Sequence, residues 1–580
     1  MNYSIYKDDN TISTVERIQR ILDNIGIEIE EAFYAFNMHS EFEPFTSRIR
    51  LGGVNSIGTN GKGTTRENCR ASAYSEFMER LENQSFPDSR LSLISDKFYF
   101  APDEKIYDNK KNEYVKKYKK EELVSTLLPN KNYVPYFNIK NNKISYIPAL
   151  IKYYGSNGMS AGNTPEEALV QGFSEVCERY AYKQVFLGNI SMPDIPKKYY
   201  NNYDNINNLI KYAELCGWEV SIKDASLGLG LPVVCTVYKN KSKKYFTYNF
   251  GSQPSLPVAI ERTLTEFFQG GFDKLDNLKI VDLKGFSKED FKHIYPYLNS
   301  ENILLKTTGK FYNLFYKNDA KYKFSKNSWI KQDKLYTNKE LLKFITDSIK
   351  RITDNDIYVR DVSFLDFPAY HIFIPDISDD VYFNKKRLNM HKWVLYTGKN
   401  EDASYDMESL ISAILFKFKF HLGGCHIVNF MPDEFILLLC YMIKGDIDNI
   451  LKYCNILTKH QDKKFVADNK NFIDIIYHYY SLKQQKENNT MINNIIENLY
   501  TERDVNRFKN LMDNLNFEYV KNIIAKSKEN IPEMPKNQEQ INLDNKISEI
   551  NKKLVDRYIQ NTPNQMDLAK VFDFSDLKEV

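Results

Sequence analysis

The sequence predicts a mixed α/β (α+β) fold over about residues 1–385 and an all-α part over about 390–580. Three observations lead there. Strand-like segments recur near 47–54, 133–153, 219–224, 231–238, 244–250 and 357–375, and then stop. Within that stretch a strand, a Gly-rich loop and a helix follow one another three times, with a shared motif in the helix. From about 400 the chain reads as successive helices at 405–420, 433–458, 470–485, 490–500 and 504–526.

Residues 13–33 open with Val15, Ile18, Ile21, Leu22 and Ile25 at helical spacing, which predicts an amphipathic helix. The stretch 104–146 is polar and Lys-rich and is expected as a surface insertion. Residues 357–378, IYVRDVSFLDFPAYHIFIPDIS, predict two strands around a turn at Asp366–Pro368. Residues 526–541, KSKENIPEMPKNQEQI, are expected as a linker before a last helix at 543–560. The helical part carries no clear 34-residue repeat, although paired helices of a tetratricopeptide-like kind would account for it.

Composition narrows the function. Of 580 residues, 42% are apolar, enough for a sizeable core. Lys and Arg number 79 against 76 Asp and Glu, a net charge of +3, which argues against direct nucleic-acid binding and against a long disordered tail. Seven cysteines form no C-x-x-C pair, and their spacing suits neither a zinc site nor a disulfide framework. The opening MNYSIYKDDN lacks the features of a secretory signal, and the longest apolar stretch, Phe435 to Ile443, is too short to span a bilayer. The expected setting is cytoplasmic, without a membrane.

The internal echo points to chemistry. Residues 75–80 read S-E-F-M-E-R, 174–179 read S-E-V-C-E-R and 265–270 read T-E-F-F-Q-G. Helical geometry puts positions i, i+4 and i+7 on one stripe. Ser72, Glu76 and Glu79 form one stripe; Asn163, Glu167, Gln171, Glu175 and Glu178 a second; Arg262, Glu266 and Gln269 a third. Opposite them lie Ala73, Phe77 and Leu81, then Leu169, Phe173 and Val176, then Leu264 and Phe268. Each helix thus has an apolar side for a sheet and an acidic side for something else. Any one of these acidic sides alone reads as a face in water. Three matching ones without interleaved lysines weaken that reading, because like charges at this spacing repel. If the stripes converge, Glu76, Glu79, Glu167, Glu175, Glu178 and Glu266 need cations. Mg²⁺ bridging them to a triphosphate is self-consistent, with Arg179 and Arg262 on phosphate oxygens.

The first Gly-rich stretch, GTNGKG at 58–63, fails the Walker pattern because Ser56 and Gly63 stand where Gly and Ser/Thr are required. It also misses the dinucleotide spacing. Lys62 remains a candidate phosphate contact.

At these residues the sequence resembles the YcaO family over roughly residues 5–385. The segments that carry the resemblance are TNGKG with ASAYSEFMERL (59–81), SNGMSAGNTPEEALVQGFSEVCERY (156–180) and LPVVC through VAIERTLTEFFQG (231–270). The resemblance implies an ATP-grasping α/β fold without a Walker motif, with ATP on carboxylate-bound Mg²⁺. Carried over by position, Ser72, Asn163, Arg179 and Arg262 would hold ATP, and Glu76, Glu79, Glu167, Glu175, Glu178 and Glu266 would hold Mg²⁺. Lys7 looks like the family's lysine near the nucleotide, and Thr14 stands where a relative has serine.

The chemistry implied is ATP-dependent activation of a peptide backbone amide, or support of a ribosomal-protein modification such as aspartate β-methylthiolation. A nucleotide-binding adaptor that recruits a modifying enzyme is the alternative. Partners implied are a peptide or ribosomal-protein substrate and a partner enzyme or peptide-binding protein, and the helical part could serve homodimerisation or docking. Azoline-forming members end in a P-x-P-x-P tail, whereas this chain ends DFSDLKEV, and no peptide-binding partner domain is recognisable ahead of the family segment. Both departures argue against autonomous azoline formation. No general base is assigned from sequence.

Overall fold

A computed structural model describes residues 7–34, 43–52, 54–83, 98–99, 102–108, 111, 113–115, 124–125, 132–148, 156–240, 245–269, 279–281, 303–306, 315, 320–378, 433–458, 469–516 and 538–577. The fold is mixed α/β with a helical region toward the C-terminus.

The strands, in chain order, are β1 (Ile29–Phe33), β2 (Phe45–Leu51), β3 (Val54–Gly63), β4 (Phe98–Tyr99), β5 (Lys105–Asp108), β6 (Glu113–Val115), β7 (Val124–Ser125), β8 (Asn132–Asn138) and β9 (Lys143–Pro148). They continue as β10 (Met159–Ala161), β11 (Trp218–Asp224), β12 (Val233–Asn240), β13 (Tyr245–Ser252), β14 (Lys279–Val281), β15 (Ile303–Lys306), β16 (Tyr358–Asp361) and β17 (Ala369–Phe373). One sheet has the order β1-β2-β3. A second runs β10-β17-β16-β8-β5-β6, with β9 also paired to β8. A third runs β11-β12-β13-β15-β14, and β4 pairs with β7.

The helices of this part are α1 (Thr11–Asn24), α2 (Arg66–Glu82), α3 (Pro165–Gly188), α4 (Asp204–Leu215), α5 (Leu256–Phe268) and α6 (Asn338–Lys350). Helix α1 is shorter than its expected 13–33. Gly26, at φ 71°, turns the chain, and β1 begins three residues later at Ile29. Asp366, at φ 63°, turns the chain between β16 and β17, where the sequence predicts a turn.

Three strand–helix units, β3–α2, β10–α3 and β13–α5, correspond to the sequence echo. Thr65 caps α2 by accepting from the Asn68 amide, and Thr164 caps α3 by accepting from the Glu167 amide, with Pro165 at the first helical position. The predicted apolar sides are buried: Ala73, Phe77 and Leu81, then Leu169, Phe173 and Val176, then Leu264 and Phe268. Helix α3 shares its core with α6, β12, β13 and β17, α2 with α1, and α5 with α4, β11 and β12.

The first Gly-rich stretch is strand rather than loop: GTNGKG lies inside β3. The other two are strand only at Met159–Ala161 and at Gly251–Ser252. Their glycines serve close packing. A Cβ on Gly61 would come within 2.1 Å of the Cys69 carbonyl oxygen and 2.8 Å of the Ala73 Cβ; one on Gly251 would meet the Thr263 methyl at 2.6 Å. Helices α2 and α5 therefore lie directly on strand backbone.

The stretch 104–146, expected on the surface, instead supplies β5, β6 and β8 and most of β9. Strand β8 sits between β16 and β5, and Val134, Tyr136 and Phe137 are fully buried. Its aromatic run NYVPYFN outweighs the lysines, which cluster at 110–120.

The helical region comprises α7 (Asp433–Lys444), α8 (Ile447–Thr458), α9 (Lys470–Gln484), α10 (Asn489–Leu499) and α11 (Glu502–Asn514). Gly445, at φ 72°, splits the expected 433–458 helix in two. These five share a core of their own around Leu438, Leu439, Ile473, Ile476, Ile492 and Phe508. The helix expected at 405–420, the last part of the one expected at 504–526 and most of the linker expected at 526–541 lie outside the described residues.

Helix α12 (Gln538–Gln560) starts earlier than expected and packs elsewhere. Ile550, Leu554 and Tyr558 join the core of α1 and α2. The short α13 (Leu568–Val571) follows, and Leu568 and Phe572 enter the core of α3. The expected division into 1–385 and 390–580 therefore cuts across the packing. By core membership, 433–516 is one unit and 538–577 belongs with the α/β part, because the apolar face of α12 finds its partners there.

Candidate nucleotide and metal site

The three acidic stripes converge. One cavity of about 500 Å³ is lined by all twelve residues expected from the sequence: Lys7, Thr14, Ser72, Glu76, Glu79, Asn163, Glu167, Glu175, Glu178, Arg179, Arg262 and Glu266. Helix α2 contributes one wall, α3 a second, and α5 a third. The segment leading into α1 closes one end.

At that end the side chains are fully engaged. Lys7 Nζ lies 2.8 Å from Glu167 Oε1, and the Asp8 amide donates to Glu167 Oε2 at 2.9 Å. Asn163 Nδ2 also donates to Glu167, at 3.2 Å, while Thr14 Oγ1 donates to Asn163 Oδ1 at 2.9 Å. Glu167 thus fixes Lys7 and Asn163 in place.

In the middle the carboxylates meet cationic side chains. Arg80 reaches Glu76 and Glu79, each at 3.3 Å, and Arg179 lies 3.7 Å from Glu175. Lys62 pairs with Glu266, and Arg262 with Gln171. Gln269 Nε2 donates to the Asn60 carbonyl at 2.9 Å, tying α5 to β3. Lys62, a candidate phosphate contact, is committed here to a carboxylate.

Burial dominates the electrostatics. It raises Glu76 and Glu178 above the ordinary carboxylate range and pushes Glu79 up to about 8. Arg80 opposes the rise at Glu76 and Glu79, and the charge of Glu175 adds to it at all three. Protonation is one answer to such crowding, and a bound cation is another.

Arg80 carries no role in the sequence reading, although S-E-F-M-E-R and S-E-V-C-E-R place it in register with Arg179. Glu261, Tyr182, Tyr248 and Phe250 line the cavity without having been singled out. Glu261 precedes Arg262 on α5, Tyr182 continues the α3 stripe without a charge, and Tyr248 and Phe250 lie on β13, so charge patterning alone passes over them.

A family model described as YcaO cyclodehydratase, ATP- and Mg²⁺-binding, matches residues 60–378. The chain belongs to the YcaO family. An uncharacterized protein of Haemophilus influenzae is 31% identical over 398 residues, covering 64% of this chain and 65% of that protein. The ribosomal protein S12 methylthiotransferase accessory factor YcaO of Escherichia coli is 31% identical over 399 residues, covering 64% and 66%. The match thus spans just under two thirds of each relative's length. Solved structures that resemble the chain include a heterocyclase in complex with substrate and cofactor (TM-score 0.46, 16% identity, 65% of this chain and 53% of that one). YcaO from Methanopyrus kandleri bound with AMPPCP and Mg²⁺ is another (TM-score 0.43, 16% identity, 65% and 94%).

ATP and Mg²⁺ are the cofactors of the YcaO family. Among the described residues, no group of three or more His, Cys, Asp or Glu side chains is gathered closely enough to hold a metal on its own. Such a cage is not what Mg²⁺ ordinarily requires, since it is bound through one or two carboxylates together with substrate phosphates and waters. Buried carboxylates with raised pKa values, lining one cavity of this size together with arginines, suit that mode. No helix among the described residues is long and apolar enough to cross a membrane.

Proposed function

We propose that the chain uses Mg²⁺ and ATP to activate a peptide backbone amide by O-phosphorylation. The observation that carries this reading is the convergence of all twelve expected residues on one cavity. In this reading Lys7, Thr14, Ser72 and Asn163 position the nucleotide. Glu76, Glu79, Glu167, Glu175, Glu178 and Glu266 supply oxygen ligands to Mg²⁺. Bound Mg²⁺ neutralises charge on the phosphate oxygens. Arg179 and Arg262 offer planar, permanently charged donors to the transferring phosphoryl group. For Glu167 the assignment requires that Lys7 or Asn163 yield one of its oxygens.

The substrate is proposed to be a peptide or a ribosomal protein, with aspartate β-methylthiolation as the modification it would support. That part of the reading is supported by the name of the Escherichia coli relative. The second reading is a nucleotide-binding adaptor without chemistry of its own. The separate core of residues 433–516 favours it, since a helical unit of this kind can dock a modifying enzyme or a second copy of the chain.

The experiment is calorimetric titration with AMPPCP, with and without Mg²⁺, followed by ATP turnover in Glu178→Ala and Arg179→Ala. Mg²⁺-dependent binding with turnover lost in both variants supports the enzyme. Mg²⁺-dependent binding without any wild-type turnover in the presence of peptide substrates supports the adaptor. Turnover retained in both variants removes the site assignment.

A further inference from the structure

Helices α3 and α5 lie on opposite faces of β13. The Phe250 ring meets the Tyr182 ring of α3 edge to face, 5.3 Å between centroids, while a Cβ on the next residue, Gly251, would meet the Thr263 methyl of α5 at 2.6 Å. Yet Arg262 of α5 hydrogen-bonds Gln171 of α3. Helices on opposite faces of a sheet can meet only around its edge. On one side of β13 the sheet continues through β12 and β11, so these two helices meet around the other side. That edge borders the cavity: Tyr248, Asn249, Phe250 and Gly251 line it in unbroken succession, although their side chains alternate between the two faces. On the same edge β15 pairs only with Tyr245 and Phe246. Register decides which backbone groups face the cavity. The Ala225 amide donates to the Val233 carbonyl at 2.9 Å, so Val233 turns toward β11 and its successor Val234 toward β13. Val234 stands opposite Gly251, whose N–H and C=O therefore go to β12. The Gln253 amide, donating to the Pro232 carbonyl at 3.2 Å, keeps the same phase. Phe250 thus turns its N–H and C=O away from β12, and among the described residues neither has a backbone partner on that edge.

We propose that this edge of β13 receives the peptide substrate as an added strand, paired to Phe250 through main-chain hydrogen bonds. This rests on reading the same cavity as the Mg·ATP site. An N–H and a C=O from one residue ask for a C=O and an N–H in return, which an extended peptide supplies at every second residue. A polyphosphate offers acceptors only and leaves the carbonyl unmet. Main-chain pairing also holds a substrate without regard to its side chains, which suits the activation of an amide that belongs to the main chain itself. Side chains of the added strand alternate between the two faces. One set falls on the α3 face beside the Phe250 and Tyr182 rings, where apolar residues are favoured.

The test follows amide hydrogen exchange of the full chain at single-residue resolution, with Mg·AMPPCP and two probes. One probe is the acetylated tetrapeptide amide Thr-Val-Thr-Val. The other is the same peptide N-methylated at both central residues, which blocks both of its edges. With or without Mg·AMPPCP, the Phe250 amide should exchange about 100-fold faster than those of Asn249 and Gly251, whose hydrogen bonds run to β12. The first peptide should slow Phe250 by about tenfold or more and leave Asn249 and Gly251 within about twofold, and the methylated peptide should slow none of them. A Phe250 amide as slow as that of Asn249 before any peptide is added would mean that the edge is already paired, and would overturn the subsite. So would protection of Phe250 by Mg·AMPPCP alone, which would put the nucleotide base at this edge. Equal protection by both peptides, or none from the first at millimolar concentration, would overturn it as well. Protection by the first peptide alone in protein that fails to bind Mg·AMPPCP would keep the edge as a peptide site and overturn the nucleotide reading beneath it.

Discussion

The guanidinium of Arg360 donates to the hydroxyl of Tyr558, 3.0 Å away and 198 residues along the chain. Arg360 is also bonded to Asp103 at 2.8 Å, and the Tyr558 hydroxyl donates to the same Asp103 oxygen at 3.3 Å. The triad is buried where α12 crosses the second sheet. It makes the end of the chain part of the structure that carries β16 and β17.

Tyr558→Phe removes one partner each from a buried guanidinium and a buried carboxylate while keeping the ring that packs on Phe364. Loss of hydrogen bonds to charged groups at a buried site costs about 1.5–3 kcal/mol. Denaturant unfolding should show that loss in the midpoint with an unchanged slope. An unchanged midpoint would mean that α12 is not docked on Arg360 in solution.

Glu79 gives the site a pH dependence with a definite sign. Its folded-state value, about 8, lies above the ordinary carboxylate value of 4.5, so its protonated form is the one the free fold favours. That contribution to stability is complete below about pH 4.5 and is lost as pH rises toward 8. A cation beside the carboxylate reverses the preference. The gain in melting temperature from saturating Mg·AMPPCP should therefore grow between pH 6 and pH 8, and the growth should be smaller in Glu79→Gln. An equal pH dependence in the variant would remove Glu79 from the proposed Mg²⁺ ligands.

The site is more legible in the sequence than the domain boundaries are. The acidic stripes could be read because helical periodicity is rigid: Glu76 and Glu79 on α2, or Glu167, Glu175 and Glu178 on α3, must share a face once the helix forms. Convergence of three such faces required only that each apolar opposite face meet a sheet. Arg80 is passed over by the same motif that reveals Glu79, because the stripe is read from its acids, although Arg80 pairs with Glu76 and Glu79 of its own helix. Strand β8 was obscured by neighbouring lysines that say nothing about Tyr136 and Phe137. The path of α12 was beyond local pattern altogether. Its apolar residues Ile550, Leu554 and Tyr558 fit a helical bundle as well as they fit α1 and α2, and only tertiary packing chooses between them.

His371 predicts the acid limb of stability. It lies in β17 opposite Met159 of β10, and its Nδ1 is 2.6 Å from the Tyr136 hydroxyl. Burial, with help from the nearby Arg360 charge, lowers its pKa to about 4. The folded protein therefore keeps it neutral, whereas the unfolded chain binds a proton below about 6.5. Stability should fall as pH drops from 6.5 to 4, by about 3 kcal/mol from this residue. His371→Gln should flatten that limb in urea titrations at pH 6.5, 5 and 4. An undiminished limb would assign the acid sensitivity to other groups.

Gly61 links the fold to the site most directly. Its neighbours Asn60 and Lys62 reach α5, through Gln269 and Glu266, while Gly61 itself lies under α2 beside Cys69 and Ala73. A Cβ there overlaps backbone, so α2 must move away from β3 to accept it. That displacement carries Glu76 and Glu79 with the helix, and β3 shares its Asn60 and Lys62 contacts with α5. Gly61→Ala should therefore cost about 1–3 kcal/mol, the usual range for overpacking, and should weaken Mg·AMPPCP binding more than a stability loss alone would. The control is an equally destabilising change in the separate core of α7–α11, such as Ile473→Val, adjusted by denaturant to matched stability. If both variants bind Mg·AMPPCP with wild-type affinity while folded, then close packing of α2 on β3 serves the fold and does not set the geometry of the cavity.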